Sequence, residues 1–112
     1  MEQKAAHTPG PWQIEWNAAQ SGEGHYITDS KDMAELSRIA AVLFHDDADG
    51  ETRANARLLA AAPELLAACK SMIEWDDRER DHAVDFSARM ALCDAAFNAA
   101  RAAIAKAEGG AA

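Results

Sequence analysis

Glu51-Thr52-Arg53-Ala54-Asn55-Ala56-Arg57-Leu58-Leu59-Ala60-Ala61-Ala62-Pro63-Glu64-Leu65-Leu66 divides this 112-residue chain into two kinds of sequence. Upstream, apolar residues alternate with polar ones. From Glu51 onward the composition turns to alanine, leucine, glutamate and arginine, the residues that lose least on entering a helix. Asp49 is placed to cap a first helix over 51–62, with Ala54, Leu58 and Ala61 on one stripe. Pro63 interrupts it, and because proline is tolerated in the first turn of a helix, Ala62-Pro63-Glu64 reads as a new helix start with an acidic residue on its positive end. Leu65, Leu66, Cys69, Met72 and Ile73 carry the apolar face on to the mixed-charge cluster Asp76-Asp77-Arg78-Glu79-Arg80-Asp81, which reads as solvated helix ends and a short connection.

Phe86, Met90, Cys93, Phe97, Ala100, Ile104 and Ala107 then recur at alternating spacings of four and three, an a/d seam on a helix over 83–107. Such a helix folds back antiparallel on the preceding one. The same spacing also fits an exposed face that docks a partner helix. We take the core reading, because an alanine-rich chain has few other large side chains with which to close its helices. On that reading Phe86, Met90, Phe97 and Ile104 are structural residues, and Phe97→Ala costs about 3–5 kcal/mol. Gly109-Gly110 ends the helix.

Working back toward the N terminus, Pro9-Gly10-Pro11 disfavours helix, and Trp12, Ile14 and Trp16 alternate with Gln13 and Glu15 as a strand with one buried face. Ser21-Gly22-Glu23-Gly24 returns the chain to a second strand over 25–29. Residues 36–44 fit two patterns. Leu36, Arg38, Ala40, Val42 and Phe44 share a strand face, whereas Met33, Leu36, Ile39 and Leu43 fit a helix. A third strand is the expectation, because it covers an edge that the hairpin would leave open. The expected fold is therefore α+β, a single domain over 1–112. Residues 1–8 are flexible, 11–44 form a small antiparallel β-meander, 50–107 form a helical hairpin broken at Pro63, and 108–112 fray.

Alanine supplies much of the 49% hydrophobic content, so the core is thin and a homodimer is a natural supplement. The net charge of −8 repels phosphate backbones and argues against direct nucleic-acid binding. No apolar run of membrane-spanning length and no signal-peptide pattern occurs, so no membrane contact is expected and the protein is placed in the cytoplasm. Cys69 and Cys93 lack a Cys-x-x-Cys context and read as reduced, buried thiols.

Local motifs point to no reaction. Aligning residues 45–56 with a calcium loop puts His45 at the first position and Ala56 at the twelfth, where carboxylates are needed. His7, His25, His45 and His82 lack metal-ligand spacing. No nucleophile elbow, phosphate-binding loop or dinucleotide fingerprint is present. The expectation is a protein without enzymatic activity, metal or cofactor. The remaining ligand candidates are Trp12 and Trp16, able to stack on a base, with Arg53 and Arg57 one helical turn apart to receive a phosphate. Asn55, a poor helix former, suggests a structural amide bonded to the meander.

Two segments, His7-Thr8-Pro9-Gly10-Pro11-Trp12 and the stretch from Ala54 to Leu66, together resemble a family of small proteins of tailed bacteriophages and prophages of proteobacteria. The resemblance covers about residues 7 to 70 and brings no known activity with it. It implies a phage or prophage accessory protein in the cytoplasm of a bacterial host. Such proteins often bind and inhibit host factors, defence systems among them. A host bacterial protein is thus the expected partner, and sequestration of a nucleotide signal by Trp12, Trp16, Arg53 and Arg57 is the alternative.

Overall fold

A computed structural model of the protein describes residues 6–16, 24–29, 38–43, 50–81 and 84–110. Three strands, β1 (Trp12–Glu15), β2 (Gly24–Asp29) and β3 (Arg38–Leu43), form an antiparallel meander in the order β1-β2-β3. Three helices follow: α1 (Glu51–Ala60), α2 (Ala62–Glu79) and α3 (Phe86–Glu108). This is the expected α+β arrangement, and the segment before residue 44 is indeed a strand. Residues 1–5, 17–23, 30–37, 44–49, 82, 83, 111 and 112 lie outside the described residues, and with them the start of the expected flexible segment, the turn residues Ser21, Gly22 and Glu23, the alternative at Met33 and Leu36, the loop at 45–49 and the end of the tail.

The register explains the sheet's buried face. Ile14 pairs with Ile27 and Ile27 with Ala40, a row across all three strands, and His25 pairs with Val42 on the same side. Residues two apart on a strand share a face, so Ile27 and His25 are buried together. The pairing slips between Ile27 and Thr28, which leaves Ile39 as the extra residue and sets Arg38 opposite Thr28. Arg38 therefore departs from the face of Ala40 and Val42. Its guanidinium lies 4.1 Å over the Tyr26 ring and its Nε is 3.7 Å from Glu15 Oε2.

Helix α1 covers the inner face with small residues. Thr52, Ala56 and Ala60 are buried, and Ala56 and Ala60 join Ile27 and Val42 in the core, with Trp12, Ile14 and Ala40 packed around it. The expected stripe of Ala54, Leu58 and Ala61 is corrected here. Ala54 and Leu58 are exposed, and only Ala61 is buried. Alanine occurs all round this helix, so periodicity cannot fix its phase, and the small face wins because it lets the sheet approach closely. The N-cap is also corrected, from Asp49 to Gly50, which sits in the left-handed region at φ 78°.

Pro63 stands in the first turn of α2 with Glu64 beside it, as the proline rule predicts, and Ala61 is the joint between the two helices. Half-buried Asn55 lies on α1. Helix α2 runs on through Glu79, and Arg80 pairs with Asp76 at 3.2 Å one turn back. Asp85 caps α3 by accepting from the Ala88 amide at 2.7 Å.

The α2–α3 hairpin overturns the seam expectation. The residues α3 buries are Ala96 and Ala103, while Phe86, Met90, Phe97 and Ile104 are 69%, 43%, 40% and 50% exposed. Ala68 is the buried residue of α2, Cys69 is exposed, and Cys93 is half-buried. Small side chains bring the two helix axes together, and the large apolar ones are left on the flank of the contact. The heptad spacing is real, but its residues flank the contact, Phe97 meeting Trp75 edge-on there, while the small residues close it.

Candidate functional site

The four ligand candidates come from elements far apart in sequence, and the fold gathers them. β1 carries Trp12 and delivers Trp16 at its end, and α1 lies across the inner face of the sheet with Arg53 and Arg57 one turn apart. Arg53 Cζ is 4.4 Å and Arg57 Cζ 5.6 Å from the centre of the Trp16 ring. A guanidinium over an indole face is a favourable cation–π arrangement. The ring of His25 meets Trp16 edge-on, with centroids 4.8 Å apart. Trp16 is thus held by three neighbours, yet 37% of it remains exposed.

A cavity of about 200 Å³ opens beside this cluster, lined by Trp12, Trp16, Arg57 and Lys106 among others. Lys106 is the residue sequence reasoning passed over. Its Nζ donates to the Trp12 carbonyl at 3.0 Å and to Glu64 Oε1 at 2.6 Å, tying β1, α2 and α3 at one point. A single cation near the end of an alanine-rich helix was the available signal, but helix-end lysines are usually explained by the dipole alone. His25 was passed over too, although its place two residues before Ile27 on a buried strand face was visible. Burial, and secondarily the positive charge of Arg53, push the His25 pKa below its usual 6.5. The ring is therefore neutral at pH 7.

Two close approaches fix the surroundings. A Cβ on Gly10 would come within 2.6 Å of Pro63 Cβ, so glycine lets the N-terminal segment lie on the start of α2. Trp12 is anchored beside it, its indole donating to the Thr8 carbonyl at 3.0 Å. Gly109, the C-cap of α3, has φ 80°, and a Cβ there would stand 2.8 Å from Arg57 Nε. Arg57 thus lies between Trp16 and the end of α3.

Chemically, the patch offers a partly exposed indole and the guanidiniums of Arg53 and Arg57 on a molecule of net charge −8, while the neighbouring Lys106 is already paired with Glu64. It is suited to an anionic or aromatic contact. Among the described residues no group of three His, Cys, Asp or Glu is arranged to hold a metal ion, and no helix is long and apolar enough to cross a membrane.

A three-stranded meander with a covering helix and an α-hairpin places the protein among small α+β proteins. Its sequence matches the family of Salmonella phage P22 protein Y8K6 over residues 1–111, and the chain belongs to that family of phage proteins. No curated protein and no solved structure matches it.

Proposed function

We propose that this phage accessory protein works by binding and without catalysis, and that its Trp16–Arg53–Arg57 patch docks on a factor of the bacterial host. The observation that carries the reading is the state of Trp16, part exposed and oriented by His25, Arg53 and Arg57. Tryptophan and arginine are the residue types that dominate binding energy when a partner covers them, and an oriented ring loses little conformational freedom on binding. The excess of acidic residues elsewhere supports selectivity, since the rest of the surface repels the anionic group that the patch attracts. Inhibition of a host defence system is the specific role this reading favours, and a host-cell cytoplasmic location follows from it.

A test is capture from host lysate at physiological salt with the parent protein and with Trp16→Ala. The expected result is a host protein retained by the parent and lost with the variant. Equal capture by both would overturn the patch, and no specific capture by the parent would overturn the reading. The cavity lined by Trp12, Trp16, Arg57 and Lys106 favours a second reading, a small nucleotide stacked on an indole with its phosphate on Arg57. Excess absorbance at 260 nm in the purified protein would select this alternative.

A further inference from the structure

We infer that the open apolar face of the α2–α3 hairpin is the seat of a second copy of this chain, giving a twofold four-helix bundle in which α3 runs antiparallel to its partner. Trp75 of α2 meets Phe97 of α3 edge-on, with ring centroids 5.8 Å apart. Beside them a groove of about 240 Å³ is lined by Leu65, Ala68, Cys69, Met72, Ala100 and Ile104. Phe86 and Met90 extend this face along α3, and exposed Leu66 and Ile73 widen it on α2. The face carries the heptad spacing that an opposing helix needs and that α2 meets through Trp75 at Phe97.

Charge identifies the occupant as this same chain. With Phe97 at an a position, Ala96 and Ala103 are g positions turned toward α2, and Asp94 and Arg101 are the e positions on the free edge. In an antiparallel pair, e faces e. Asp94 and Arg101 are centred between Phe97 and Asn98, so a twofold axis there sets each Asp94 against the partner's Arg101. Sliding the partner by one heptad would oppose like charges, so the pair selects the register. On α2 the corresponding positions, two residues before Ala68 and Trp75, are the exposed Leu66 and Ile73, so apolar side chains flank the axis there. The Trp75–Phe97 contact and the Lys106–Glu64 ion pair align the two helices, and an axis between Phe97 and Asn98 falls beside Ile73. Lys106 leaves α3 on the side away from the stripe, so the Trp16 patch stays clear of this interface.

The test is sedimentation equilibrium of the full chain with Asp94→Arg, with Arg101→Asp, and with the two variants mixed. The parent is expected to be a dimer. Each variant alone opposes like charges at two symmetric places and should dimerise about tenfold more weakly. The mixture pairs two arginines with two aspartates and should recover parental affinity as a heterodimer. Phe97→Lys should be monomeric with its helical circular dichroism retained; if helix is lost, Ile73→Lys, more exposed still, replaces it. A parent that is monomeric throughout, as it would be if another protein occupies the face, overturns the proposal. So does charge reversal without effect on association.

Discussion

The sheet with α1 and the α2–α3 hairpin solve the same problem of burial in opposite ways. In the first, branched side chains from two strands, Ile27 and Val42, fill the space under a helix that presents alanines. In the second, alanines from both helices meet, and the large side chains stand outside the contact. Apolar character alone therefore does not locate a core. A helix pair closes wherever the backbones approach most nearly, and in this chain only the small residues permit that approach.

The comparison is broken most directly by Ile27→Ala. Ile27 is fully buried, so truncation should cost about 2–5 kcal/mol in lost burial and residual cavity, read as a large fall in the urea midpoint. An effect below about 1 kcal/mol, the ordinary cost of a substitution, would mean that the sheet is not the principal core. Phe97→Ala should do much less than the sequence reading expects. With two-fifths of the residue exposed, its loss should cost about 1–2 kcal/mol in dilute solution, where association does not contribute. A cost near that of Ile27→Ala would restore the seam to the core of the single chain.

The smallest effect sharpens the comparison through pH. The folded pKa of His25 lies below its usual 6.5, so between the two values the unfolded chain binds more protons than the folded one. Its contribution is complete above the unfolded pKa and declines as the pH falls toward the folded value. The urea midpoint should therefore drop modestly from about pH 7.5 to about pH 5.5, and His25→Gln should flatten that dependence. An unchanged slope in the variant would assign the pH dependence to other groups.

Much of the fold was legible for identifiable reasons. Trp12, Ile14 and Trp16 show the two-residue period, the need to cover a sheet edge favours a strand at Ala40 and Val42, and Pro63 marks a helix start. Helix phase was not legible, because alanine occurs on every face of α1 and α3 and leaves the large residues as the only visible pattern. The site was half legible. Residue chemistry nominated Trp12, Trp16, Arg53 and Arg57, but their meeting depends on α1 crossing the sheet, and Lys106 joins them from 94 residues beyond Trp12.

That last contact also orders events in time. A chain made from its N terminus completes the meander and α1 long before residue 106 exists, so β1 spends that interval without the cation that holds its first carbonyl. The Lys106 tie is the most distant in sequence among those described for the site, and closing so long a loop is slow and entropically demanding. Until then the N-terminal half lacks that tie at Trp12, whereas Trp16 already has His25, Arg53 and Arg57 against its ring. The fastening of α3 onto Trp12 is accordingly the last of the site's contacts that synthesis makes available.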